Sequence, residues 1–139
     1  MANGFYQPGM KHFAFGDIVW KASGGSTIST TLVDTADYTV DLTTHEFRGT
    51  GTIATAAQEE TGNLTLIDAA TDGVVDANDI TFTATTGDQC EGILVYKNTG
   101  VAANDLLLFW WDTASGLPVT LGGDVTVAWD NGSNRIARI

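Results

Sequence analysis

At 139 residues the chain has the length of one domain and can bury a core without disulfides. Threonine, glycine, valine and alanine dominate while lysine, arginine and proline are scarce, which points to a β-rich protein and away from a helical bundle or a disordered tail. Six Lys and Arg against 17 Asp and Glu leave a formal net charge of −11; phosphate neutralisation needs clustered cations, so neither a nucleic acid nor an anionic membrane surface is expected as a partner.

Residues 1–25 read as an N-terminal arm with a short helix, and 26–139 as a single β domain. Phe5, Tyr6, Met10, Phe13, Phe15, Ile18 and Trp20 crowd the arm with large apolar side chains. Pro8 suits a first helical turn, so a helix is expected from Pro8 to about Gly16, with Tyr6, Met10 and Phe13 sharing a face at helical spacing. Such an arm either plugs one end of the sheet or packs on a neighbouring subunit. The N-terminus lacks the basic and apolar regions of a signal peptide, and no run approaches the ~20 apolar residues of a membrane span. Synthesis and retention in the cytosol are therefore expected.

Ser23-Gly-Gly-Ser26 breaks the pattern, and Ile28–Val33 follows as a strand. Tyr38–Phe47 is ambiguous, with Asp41, Thr43 and Thr44 suited to cap a short helical turn. Thr50–Glu60, rich in Thr and Ala, suits an exposed strand, and Asn63–Asp68 reads as another. Asp79–Ala84 alternates, with Ile80, Phe82 and Ala84 inward. The last third holds three more: Gly92–Asn98, Asp105–Asp112 and Asp124–Asp130. The run Leu106–Trp111 is apolar throughout, as in a strand covered on both faces, whereas Val125, Val127 and Trp129 alternate with Thr126 and Ala128. Short turn-rich connections make these three antiparallel neighbours, a C-terminal meander at the centre of a sheet. The whole predicts an all-β fold, an antiparallel sandwich or barrel of about seven or eight strands.

Residues that could carry chemistry are few. Asp68, Asp72, Asp76 and Asp79 have the spacing of a calcium loop, with Gly73 at the turn and the Val74 carbonyl between. Ala70 cannot ligate at its position, an Asp replaces the long bidentate Glu, and strand-like segments flank the loop where helices belong. The competing reading is a hairpin turn through Thr71-Asp72-Gly73, and no metal or cofactor is expected. His12 and His45 lack any metal-binding or paired-Cys spacing, and Cys90, the single cysteine, reads as a buried thiol beside a strand. No nucleophile elbow, phosphate loop or dinucleotide fingerprint occurs, so an enzyme is not expected. Trp20, Trp110, Trp111 and Trp129 raise the idea of a sugar-stacking platform. Adjacent Trp110 and Trp111 must face opposite sides of a strand, so core packing is the default for three of the four.

Five stretches, Leu32–Thr39, Asp72–Asp88, Ile93–Gly100, Gly116–Thr120 and Gly123–Ile136, together resemble a family of small structural proteins of tailed bacteriophages. The shared motifs are turns and strands rather than chemical signatures. The resemblance implies a virion protein without catalytic residues, and in that family the Asp-Gly-Val-Val-Asp stretch belongs to a β-strand region with no metal role. Within the class a head decoration, or cement, protein on the capsid exterior is expected. Its partners would be the major capsid protein and itself, a homotrimer matching capsid three-fold positions, with Phe5, Tyr6, Met10, Phe13 and Trp20 making the oligomer or capsid contact. The alternative is a tail or fibre protein whose exposed Trp and acidic loops contact host surface glycans. A free carbohydrate-binding module is a third reading.

Overall fold

The computed structural model describes residues 3–49, 51–70, 72–132 and 135–139. Its one α-helix, α1 (Gln7–Phe15), is accompanied by ten strands: β1 (Gly4–Phe5), β2 (Ile28–Val33), β3 (Gln58–Asn63), β4 (Leu66–Ile67), β5 (Val74–Ala77), β6 (Ile80–Phe82), β7 (Gly92–Lys97), β8 (Leu106–Trp111), β9 (Val125–Val127) and β10 (Ala137–Arg138). Every pairing is antiparallel. The fold is therefore all-β with a short N-terminal helix, as the sequence predicts; the strands beyond those expected are the two-residue β1 and β10, too short to show a period, and β5, which forms within the stretch read as a turn or calcium loop.

A five-stranded sheet in the order β1-β8-β7-β2-β3 forms the middle layer. The three-stranded sheet β10-β5-β4 and the two-stranded sheet β6-β9 cover one face in a sandwich-like arrangement, around a core that includes Ile28, Leu32, Val95, Leu108 and Phe109. The segment between β2 and β3 covers the other face, where Tyr38, Ile53 and Ala57 pack on Val33, Leu94, Leu107 and Trp110. This double cover is why Leu106–Trp111 is apolar at every position. A bulge phases that run: Val95 pairs with Phe109 and Tyr96 with Leu107, leaving Leu108 as the extra residue. Leu108 and Phe109 consequently enter the same core cluster, and Trp110 turns to the opposite one.

Several expectations are corrected. β7 and β8 do form a hairpin, but β9 pairs with β6, and the outer neighbour of β8 is β1. The outer edge of β8 is already taken, and the one-sided β9 matches the equally one-sided β6, the Thr81 and Thr126 hydroxyls meeting at 2.8 Å on their outer face. The Thr50–Glu60 strand is replaced by a turn and a short 3-10 helix (Thr55–Ala57), because Ile53 and Ala57 are drawn into the core; strand structure begins at Gln58. Thr50 itself lies outside the described residues. Only Leu66–Ile67 of Asn63–Asp68 is a separate strand, and Ala84 does not point inward but lies two residues beyond β6, exposed and with φ 51°. Tyr38–Phe47 makes no helix; Asp41 accepts from the Thr43 and Thr44 amides at 2.9 and 3.1 Å and caps a single turn.

Helix α1 ends at Gly16, whose φ of 82° supplies the left-handed cap. Its approach to β8 is set by Gly9, where an added Cβ would lie 2.0 Å from the Leu107 carbonyl oxygen. Gly9→Ala raises helix propensity by roughly 1 kcal/mol, yet the obstacle is strand backbone that cannot give way. The substitution is expected to destabilise the protein by about 1–3 kcal/mol through overpacking. Urea unfolding checks the sign, and a net gain in stability would refute the tight helix–strand contact.

Candidate functional site

The arm is a working part of the sheet. β1 pairs with the edge of β8, and Tyr6 follows it with its amide donating to the Leu108 carbonyl at 2.9 Å. The expectation that Tyr6 shares a face with Met10 and Phe13 fails: Tyr6 is the N-cap, in extended conformation outside the helix, so helical spacing does not apply to it. Its side chain is fully buried on the face of Trp110 and Leu107, while Met10 and Phe13 pack against the other cluster. The Tyr6 hydroxyl meets that of Tyr38 at 2.9 Å, and Tyr38 in turn meets His45 Nδ1 at 3.0 Å. Burial pushes the Tyr6 phenol far above its ordinary pKa and that of Tyr38 up to about 12. Tyr6 is thus a core residue and is withdrawn from the contact set. Trp20 is half-buried, its indole N–H donating to the Asp76 carbonyl at 2.8 Å.

Phe5, Met10 and Phe13 do come together. With Ala14, Arg138 and Ile139 they line an apolar depression of ≈ 470 Å³. Phe5 also walls an adjoining one of ≈ 310 Å³ between β1 and β10, completed by Asn3, Gly4, Trp111, Ile136 and Ala137. Phe5 is 39% exposed and Ile139 50%, high values for side chains of this size. The surface is supported from below by Phe109, whose ring centroid lies 5.4 Å from that of Phe5 and 6.3 Å from that of Phe13.

A charged clamp holds the helix that carries Met10 and Phe13. His12 Nδ1 meets Asp17 at 2.6 Å, its Nε2 meets Glu46 at 2.8 Å, and Lys11 reaches the same Glu46 oxygen at 3.3 Å. The His12 pKa is raised, first by the Asp17 hydrogen bond and then by Glu46, against partial burial. That of Glu46 is lowered, chiefly by His12. A raised histidine contributes stability that is complete below its unfolded pKa of 6.5 and is lost as pH rises through the folded value. The lowered Glu46 contributes above its unfolded pKa of 4.5 and loses that share as pH falls through the folded one. Wild-type protein is expected to lose stability above about pH 6.5 relative to His12→Gln. Thermal melts of both proteins across this range test it; parallel pH profiles would remove His12 from the clamp.

The aspartates with calcium-loop spacing are not gathered. Val74–Ala77 is a strand, which pulls the stretch out of a loop. Asp68 accepts from the Ala22 amide at 2.8 Å, Asp79 accepts from the Trp129 amide at 2.8 Å, Asp76 lies 3.8 Å from Arg135, and Asp72 is exposed. Among the described residues the carboxylates that gather as a group of three are Asp34, Glu59 and Asp88, with oxygens within 4.8 Å. Strand pairing creates that group: Asp34 follows β2, and Glu59 sits where the β2–β3 register shifts. No sequence spacing marks it. Cys90 is fully buried nearby, and burial, aided by Glu59, Glu91 and Asp34, pushes its thiol up to about 12, far from the thiolate a nucleophile needs. Trp110 and Trp111 take opposite faces as expected, the first fully buried and the second half-buried 5.5 Å from the Trp129 ring.

Fold and surface together define an antiparallel all-β protein with an apolar groove built from both ends of the described chain. No protein-family model matches the chain, and no curated protein matches it in sequence.

Proposed function

We propose that the protein is a head decoration protein of a tailed bacteriophage, seated on the outer capsid surface and linking neighbouring shell subunits, as a homotrimer, against internal DNA pressure. The reading rests on the resemblance of its turn and strand motifs, and the observation that carries it is the groove. Phe5, Met10 and Phe13 converge there with Ile139 on a molecule of net charge −11, whose acidity otherwise favours keeping apart from its neighbours. Apolar area buried at the groove would supply the attraction that charge does not, and a symmetric trimer would multiply a weak single contact into avidity. The role is structural and requires no catalytic group.

Copy number per virion, measured by quantitative mass spectrometry against the major capsid protein, tests the reading. A ratio near one to one supports lattice-wide decoration. A handful of copies sinks it and moves the protein to the tail or a vertex, with host glycans as the next ligand to try. Deleting residues 1–20 is not a clean test of contact, since Tyr6 would leave the core with them. Single substitutions on the groove are the better probe.

A further inference from the structure

We infer that the groove between β1 and β10 receives an extended segment of a shell subunit as an added strand, apolar toward Trp111 and carrying a carboxylate for Arg138. Three observations converge on it. Both walls are free sheet edges, since β1 ends the five-stranded sheet and β10 ends the three-stranded one. Gly4 pairs opposite Trp110 and Phe5 opposite Phe109, while the Tyr6 amide bonds the Leu108 carbonyl. Antiparallel alternation then turns the N–H and C=O of Phe5 away from β8, toward the open side. An incoming strand can use them, as in strand addition to any exposed edge.

The second observation is the lining. Trp111, Ile136 and Ala137 give the groove an apolar floor and wall, and Phe5 joins it to the depression over Met10 and Phe13. A strand laid there presents alternate side chains to this surface and the others to water. The third is charge. Among the described residues Arg138 is the sole charged side chain lining either depression, and it makes no salt bridge. On a chain with 17 acidic residues, neither depression is lined by a carboxylate side chain. A basic segment finds no acidic side chain there among the described residues, and a second copy brings the self-repulsion of −11 charges to a contact without compensating cations beyond Arg138. An apolar strand with one Asp or Glu satisfies all three features. That its owner is a shell subunit rests on the decoration reading; the chemistry of the strand does not.

Isotopically labelled full-length protein titrated by NMR with a blocked octapeptide of alternating Val and Thr carrying one Asp, and with its Lys counterpart, tests the chemistry. The Asp peptide is expected to shift Phe5, Trp111, Ala137 and Arg138, to protect the Phe5 amide from exchange, and to bind roughly tenfold more tightly than the Lys peptide, with Arg138→Glu reversing that order. Binding without charge preference, shifts centred elsewhere, no binding, or self-association consuming the same resonances would each overturn the inference. In parallel, wild type and Arg138→Glu are pelleted with DNA-free mature shells lacking this protein. Loss of about tenfold in the variant supports the groove as the shell contact; equal pelleting overturns it and leaves decoration standing. If wild type does not pellet, decoration falls, and the peptide titration still decides the groove.

Discussion

Phe109→Ala is expected to lower stability by about 3–5 kcal/mol, the range for removing a fully buried aromatic ring that the surroundings cannot refill. Four aromatic side chains lean on this ring: Phe5 at 5.4 Å, Phe13 at 6.3 Å, Trp20 at 6.0 Å and Trp111 at 5.8 Å between centroids. Their support comes from four different places in the chain, so the cavity cannot close by the shift of one element. Against a typical net stability of about 5–15 kcal/mol, such a loss takes a large fraction of the whole. Phe109→Leu, which keeps most of the volume, should cost less than about 1.5 kcal/mol. Urea unfolding separates the two variants. Hydrogen exchange adds a spatial signature, because Phe5 and Phe13 lose their backing while the Tyr38 side of the sheet does not. If Phe109→Ala cost no more than Phe109→Leu, the ring would not be the support inferred here.

Arg48→Met should be as severe, for an electrostatic reason. Asp105 is fully buried, and four donors hold its carboxylate: Arg48 Nε at 3.0 Å and Nη2 at 2.8 Å on one oxygen, the Thr99 amide and hydroxyl at 2.7 Å each on the other. The guanidinium also lies 4.4 Å over the Tyr96 ring and hydrogen bonds Gln58. Methionine fills much of the space but leaves a buried carboxylate without its counter-charge, which costs about 3–5 kcal/mol. For a chain of this length that lowers Tm by roughly 10–20 °C. Arg48→Lys is expected to recover only part of the loss, since one ammonium cannot supply the guanidinium fork and the ring contact together. Adding Asp105→Leu to Arg48→Met removes the orphaned charge yet leaves the Thr99 amide without an acceptor, so recovery stays incomplete. Calorimetry of the single and double variants decides; full recovery would mean that the Thr99 contacts contribute nothing.

Periodic features were legible in the sequence, and pairwise ones were not. Pro8 and Gly16 bracket α1 within a residue, Ile28–Val33 is found to the residue, and the unbroken apolar run of β8 announces a strand covered on both faces. Those are properties a segment carries in its own pattern. Which strand lies beside which is not: nothing in Asp124–Asp130 says that its partner is Ile80–Phe82, and Arg48 finds Asp105 across 57 residues without any local signal. The groove was half legible. Phe5, Met10 and Phe13 stand out by size and spacing, but Arg138 and Ile139 join them only because β10 pairs with β5. Helical spacing misplaces Tyr6 because the residue sits just before the helix, as a cap with φ −69° and ψ 115°.

The bulge at Leu108 also bears on how this chain can change over generations. Within Leu106–Trp111 no polar residue marks one side from the other, so hydrophobic pattern alone does not fix which way each ring turns. A gene losing the Leu108 codon would restore plain alternation after Leu107, so Phe109 and Trp110 would keep their sides, and the loss would be one leucine from the core layer that Leu108 shares with Phe109. Compensation would be needed in that one layer only. Strand length at this point should thus vary more readily over generations than the placement of Phe109 and Trp110, which the two core layers hold on opposite sides whether or not the surplus residue is present.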